Sequence, residues 1–330
     1  MAETTNIAKM AEKLSAELFG EFFWERVGPA NDNWACVNQG HQKATKKSPT
    51  HPSDVVFYYD NPYQISRTYV TLDLKSYAAG SVTALGINAA AMGLARTLSC
   101  AEKSHSFREK YLHPSVTAEI CGLLFVYNHD GQYDHNFHPL IAGINHEHLE
   151  VPRGSKLIVL GPEDIFWLNN VSRDLVQMRG KGTLPAKEQY RFYYPNLVLK
   201  KYLQPHKAKA ATIEMLTAPW IILQYQFPVA SSKRGYVIYY RPKGKCVEEF
   251  VYLIDYILHY QLLDDGIVDI KTLDPEPNAQ ALFDKAIDEY IDAQDADDDL
   301  KAQLKERITF SQLVNLAITF SAVEIGMDNA

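Results

Sequence analysis

Several familiar signatures are missing from this 330-residue chain. There is no GxxxxGK[ST] loop, which argues against ATP hydrolysis by the chain alone, and there is no GxGxxG turn after a strand and no GxSxG elbow. Cysteines number only four, Cys36, Cys100, Cys121 and Cys246, and they lie far apart. Without a CxxC or CxH pair the spacing argues against a structural zinc knuckle, and nothing reads as a disulfide framework. A reducing, cytoplasmic setting is the expectation. The N-terminus, MAETTNIAKMAEKL, lacks the apolar core of a signal segment. The longest charge-free run, the twenty residues Ser76 to Ala95, is rich in Ala, Gly, Ser, Thr and Asn and poor in Leu, Ile and Phe. That composition suits a close-packed helix in a soluble core better than a membrane span.

No repeat recurs at a fixed period. With 46% hydrophobic and 22% charged residues, disorder and low complexity are excluded. The length allows one large domain or two of moderate size. The best boundary is Arg179 to Pro185, giving domains 1–180 and 181–330.

A formal net charge of −7 conceals a division. From Asp274 onward there are thirteen acids and four bases, a net of −9. From Arg179 to Lys245 there are thirteen bases and two acids, a net of +11. Such a balance suits a polyanion, with Lys200, Lys201, Lys207, Lys209, Lys233 and Arg234 as candidate nucleic-acid contacts. Tyr190, Phe192, Tyr193, Tyr194, Tyr202, Tyr236, Tyr239 and Tyr240 are interleaved with these bases. They could stack on nucleobases or fill a core. The acids Asp295, Asp297, Asp298 and Asp299 read as a solvated turn between helices.

Periodicity predicts a helix over residues 6–26, a short strand over Trp34–Val37 and a basic loop over Asn38–Ser53. Asp54–Tyr59 and Thr68–Lys75 read as strands of one hairpin, turning at Asp60-Asn61-Pro62. A helix over Ser81–Cys100 and a strand over Ile120–Tyr127 follow. Lys156–Leu160 reads as a strand and Pro162–Met178 as a helix. Further on, Trp220–Phe227 and Tyr236–Tyr240 read as strands, Val247–Leu263 as an apolar helix, Asn278–Arg307 as acidic helix and Phe310–Val323 as a last helix.

The hairpin carries the chemistry. Antiparallel pairing brings Asp54 and Asp73 to the same end of the sheet. Lys75, two residues beyond Asp73, projects from the same strand face. Two carboxylates, with the carbonyl of Leu74 as a third ligand, can hold a hard divalent cation, and the lysine can face the water or the phosphate. Glu17 or Glu21, four apart on one helix face, can complete the shell, and Glu17 is the favoured one.

The order helix with Glu, then Asp54, then Asp73-Leu74-Lys75, then helix and strand resembles the PD-(D/E)xK nuclease superfamily over residues 6–178. Pro52-Ser53-Asp54 stands at the Pro-Asp element, with Ser53 intervening, and Asp73-Leu74-Lys75 matches the (D/E)xK element. The resemblance implies an α/β, restriction-endonuclease-like mixed sheet flanked by helices, here with an α+β C-terminal extension. It also implies a Mg²⁺-dependent nuclease, with Mn²⁺ as a substitute, acting on DNA in restriction or antiviral defence. A homodimer through Val247–Leu263, or a protein partner in a defence system, would fit that role.

Rival readings remain open at this level. A protein keeping the nuclease fold without turnover would bind nucleic acid through the basic segment. His129, His135, His138, His146 and His148 crowd one stretch and could serve a zinc hydrolase. A second triplet, Asp269-Ile270-Lys271, reads as a short exposed strand with no acid-led partner strand before it. His51, beside Pro52, either reaches the site or caps the loop.

Overall fold

The computed structural model describes residue 13 and residues 17–41, 50–195, 208–228, 234–264, 266–294 and 298–315. The chain divides into two units, the first running to Leu168 and taking back 202–214, the second holding Asn169–Lys201 and Met215–Ala317. The division falls inside a helix that sequence reading assigned whole to the first domain.

In the first unit the chain forms β1 (Glu25–Val27), β2 (Asp32–Ala35), β3 (Thr50–Ser53), β4 (Val55–Asp60) and β5 (Arg67–Tyr77), then α1 (Ala84–Ala101) and α2 (His105–Tyr111). Next come β6 (Ala118–Asn128), α3 (His138–Ala142), β7 (Leu157–Leu160) and the start of α4 (Pro162–Gly180), whose residues from Asn169 on belong to the second unit. The main sheet has the order β1-β4-β5-β6-β7, and β2 and β3 form a separate ribbon. β1 and β5 both run antiparallel to β4, whereas β5, β6 and β7 are parallel. The parallel pairs need crossovers, which the helices supply.

α1 opens at Thr83, whose hydroxyl accepts the Gly86 amide at 3.2 Å, an N-cap that satisfies one of the helix's free donors. Its small residues let it lie close on β6. A Cβ on Gly122 would come within 2.9 Å of Leu98 Cδ1, so glycine is what that approach requires. Ile87, Ala91 and Leu94 pack there with Leu124 and Val126. The charge-free run is thus a core helix, and no described helix is long and apolar enough to cross a membrane. The predicted helix over 6–26 stops early. Phe23 adopts a left-handed φ of 61°, and Glu25 already begins β1. Trp24 stacks on Phe19 at 4.7 Å, and its indole donates to the Ala211 carbonyl at 2.7 Å.

The second unit contains β8 (Tyr190–Phe192), β9 (Trp220–Gln226), β10 (Arg234–Tyr240), α5 (Val247–His259), β11 (Ile267–Leu273), α6 (Ala279–Ala293), α7 (Asp298–Arg307) and β12 (Ile308–Leu313). Its sheet has the order β12-β11-β10-β9-β8. β8 and β10 are antiparallel to β9, and β10, β11 and β12 are parallel. Phe250 of α5 meets Phe283 of α6 edge-on at 5.5 Å, and Phe283 stacks on Phe310 at 5.6 Å.

Several expectations change here. The last helix over 310–323 is replaced, as far as Leu313, by strand β12, because its backbone pairs with β11, Val268 opposite Ile308; residues 316–323 lie outside the described part. The acidic helix is two helices. Asp298 and Asp299 are exposed in the first turn of α7, where carboxylates suit the helix dipole, and 295–297 lie outside the described residues. The aromatics of the basic segment fill the core. Tyr190, Phe192, Tyr194, Tyr236, Tyr239 and Tyr240 are all buried, so none presents a stacking face, and Tyr202 is outside the described residues. α5 places Phe250, Leu253, Ile254 and Ile257 in its own unit's core.

Candidate active site

β4 and β5 build the site through their register. Val55 stands opposite Leu72, so Asp54, one residue before β4, comes level with Asp73. The Asp54 carboxylate is nearly buried, at 9% exposure, and its Oδ2 accepts the Leu74 amide at 2.7 Å. Within an extended strand one residue's N–H and C=O point to the same edge. The Leu74 carbonyl therefore faces the edge where Asp54 lies. Asp54 is also fixed from behind, since its carbonyl accepts the Asn31 amide at 2.7 Å.

Lys75 and Asp73 share a strand face, and Lys75 Nζ donates to Asp73 Oδ1 at 2.5 Å. Burial pulls the Lys75 ammonium down. The Asp73 carboxylate, with Asp54 behind it, more than reverses this, so Lys75 stays above the ordinary lysine range. It is a fixed cation at neutral pH, not a base. Asp54, Asp73 and Lys75 line one cleft of about 590 Å³, together with Tyr77, Arg96 and Thr97.

The helical acids separate by burial. Glu17 is the exposed one, its side chain 59% accessible and 3.9 Å from Lys13. Glu21 is only 7% exposed. The sequence context of Glu17 favours it, but Glu21 lies in the turn over 19–23, where its amide bonds the carbonyl of buried Leu18 at 3.0 Å. No sequence signal separates the two acids, since Leu14 and Leu18 each stand three residues before one of them.

Of the basic contacts, Lys200, Lys201, Lys207 and Lys233 lie outside the described residues. Lys209 falls in the first unit and is half-buried, and Arg234 begins β10 in the second and is exposed. The histidine-rich stretch does not gather. His135 is 81% exposed beside Asp134, and His129 bonds Ser76 at 2.9 Å. None of its five histidines belongs to a metal-competent group among the described residues. Asp269-Ile270-Lys271 is not a short exposed strand. It lies in β11, inside the second sheet, where Lys271 Nζ donates to both oxygens of buried Asp174 at 2.9 and 3.1 Å. His51, on β3, reaches the cleft, lining it with Asp54, Asp73 and Lys75 at 8% exposure, and burial, reinforced by neighbouring His41, lowers it to about 4.

Residues 1–164 match the family model described as the GAPS4 protein PD-(D/E)XK nuclease domain. Comparison with curated proteins finds no match, and comparison with solved structures finds none. The matched residues hold β1 to β7 with Asp54, Asp73 and Lys75, on a mixed sheet of the restriction-endonuclease-like kind. Residues 1–164 thus form a domain of the PD-(D/E)XK nuclease superfamily.

Proposed function

We propose that the chain is a Mg²⁺-dependent nuclease that hydrolyses phosphodiester bonds in DNA, with Mn²⁺ able to replace Mg²⁺. The observation that carries this reading is the bond from the Leu74 amide to Asp54, which holds one carboxylate level with the Asp73–Lys75 pair in a single cleft. The donors fit a hard cation. Asp54 and Asp73 bring carboxylate oxygens to one cleft, and the Leu74 carbonyl faces the same edge. Bound there, a divalent cation supplies Lewis-acid polarisation of the phosphate. Asp54 and Asp73 would hold that cation. Lys75, protonated throughout, donates to the attacking water or to the phosphate oxygen that gains charge. Glu21, buried in the turn over 19–23, is the acid that burial supports for the remaining position, in place of Glu17.

Defence against foreign DNA in the cytoplasm is the setting this reading implies, with a second copy or another defence protein as partner. The basic balance from Arg179 to Lys245 supports a polyanionic substrate. Supercoiled plasmid and RNA, each incubated with Mg²⁺ and with Mg²⁺ omitted, test the proposal. Mg²⁺-dependent plasmid cutting that disappears in Asp73→Ala and Lys75→Ala is expected. Variants that melt like the parent and cut at its rate would overturn the site.

A further inference from the structure

We propose that Cys36, His41, His51 and Cys100 form a structural zinc site beside the carboxylate site, with its two histidines lining the same cleft. One ligand atom from each lies within 4.8 Å of the others. The spacings among Cys36, His41 and Cys100 are those of three corners of a tetrahedron. Zinc–sulfur bonds of about 2.3 Å and zinc–nitrogen bonds of about 2.0–2.1 Å set sulfur pairs about 3.8 Å apart and sulfur–nitrogen pairs about 3.5 Å apart. Cys36 Sγ and Cys100 Sγ are 3.7 Å apart. His41 Nδ1 is 3.7 Å from Cys36 Sγ and 3.3 Å from Cys100 Sγ.

Both histidines are oriented as ligands by what their other nitrogens do. His41 Nε2 lies 2.7 Å from Glu150 Oε2, a carboxylate that fixes the ring and leaves Nδ1 turned to the sulfurs. His51 Nδ1 lies 3.3 Å from the Thr97 hydroxyl. That leaves Nε2, which is buried with no hydrogen-bond partner. A buried nitrogen without a partner is costly in a protein interior, and a metal satisfies it.

Two thiolates and two imidazoles select zinc over magnesium, which prefers the hard oxygens of the neighbouring site. Four protein ligands close the coordination sphere, so the metal is structural rather than catalytic. On binding, each thiol releases its proton to solvent as sulfur takes the metal, and no electron is transferred. The clip joins distant pieces of chain. Cys36 follows β2, His41 ends the single turn Gln39–His41, His51 is on β3 and Cys100 is in the last turn of α1. β3 leads directly to Asp54, so the clip holds the strand that delivers a catalytic carboxylate.

Metal analysis of the desalted full chain, purified under reducing conditions, tests this. About one zinc per chain is expected. It is retained in Asp54→Asn with Asp73→Asn and in Cys246→Ser, and lost in Cys100→Ser and His51→Ala. Cobalt(II) added to metal-depleted wild-type protein gives the sulfur-to-metal and visible bands of a tetrahedral dithiolate site, a readout that needs no variant to fold. Absence of zinc and of those bands would overturn the proposal. So would zinc that survives Cys100→Ser, or a Cys36–Cys100 disulfide in place of metal uptake. Because a chelator would remove this metal as well, Mg²⁺ dependence is to be read by omission of Mg²⁺.

Discussion

The two sheets share a plan. In each, two strands run antiparallel to the strand between them, and the chain then crosses twice through helices to add two parallel strands. The middle strand of the first, β5, carries Asp73 and Lys75 opposite the acid that precedes β4. The middle strand of the second, β10, carries no acid; its tyrosines turn into the core. The second sheet does hold a DxK triplet, but on the next strand, β11, and its lysine is used up. Lys271 is bound to Asp174, whose Oδ2 also accepts the Tyr239 hydroxyl at 2.9 Å. The same plan therefore hosts a solvent-facing acid–lysine group in one place and a closed ion cluster in the other. What differs is the strand beside the triplet and the burial of its lysine.

The largest expected effect separates the two. Asp73→Ala or Lys75→Ala should reduce cutting by about 10²–10³-fold or more, the scale for removing one transition-state contact, with melting unchanged. Lys271→Met should do the opposite. It strands Asp174 as an uncompensated buried charge, which costs about 3–5 kcal/mol in denaturant unfolding of the second unit. The protein that remains folded should cut normally. Lost cutting at unchanged stability in Lys271→Met would move the active site to the second unit.

A smaller effect tests how the first sheet is covered. Gly122→Val drives a branched side chain into Leu94 and Leu98, which line that approach. Overpacking of this kind costs about 1–3 kcal/mol. Activity per folded molecule should persist, because Gly122 lies on β6, away from the carboxylates.

The smallest concerns residues 208–214, which return to the first unit after part of the second. Glu214 pairs there with Lys156. Burial raises the Glu214 carboxyl, but its bond to Lys156 outweighs that and holds it below the ordinary 4.5. Lys156 is correspondingly held above its usual range, its own burial offset by Glu214. The folded carboxyl thus binds its proton less readily than the unfolded one. Its contribution is complete above about pH 4.5 and is lost as pH falls through the folded value. The pair is about half exposed, so Glu214→Gln should cost no more than about 1 kcal/mol at pH 7, and the cost should shrink as pH falls through the folded value.

How much of this could be read from sequence depended on distance along the chain. The hairpin was legible because Asp54–Tyr59 and Thr68–Lys75 are β-branched and aromatic, close together and joined by a turn that punctuates clearly. α1 was legible from its small-residue run. β12 was not, because Phe310 and Leu313 sit three apart and mimic a helix face, while its pairing with β11 is tertiary. Glu17 and Glu21 are four apart and share a face in a predicted helix, so spacing could not choose between them; only their own burial does. The cysteine–histidine group was invisible because Cys36, His41, His51 and Cys100 are spaced by five, ten and forty-nine residues. No local motif spans that, and only the packing of α1 beside the β2–β3 ribbon assembles it.

β5 and β6 are paired along all eleven residues of each strand, from Arg67 opposite Ala118 to Tyr77 opposite Asn128. β5 is also covered on its other edge by β4 up to Leu72. In terms of time, this is the slowest part of the first unit. Amide hydrogens of Val70, Thr71 and Leu72, buried and enclosed between two strands, should exchange with deuterium only when the whole unit opens. Asp73 stands one residue beyond that stretch, so the backbone beneath the acid–lysine group does not rearrange on the timescale of turnover. Whatever motion turnover requires is left to side chains and to the loops around the cleft.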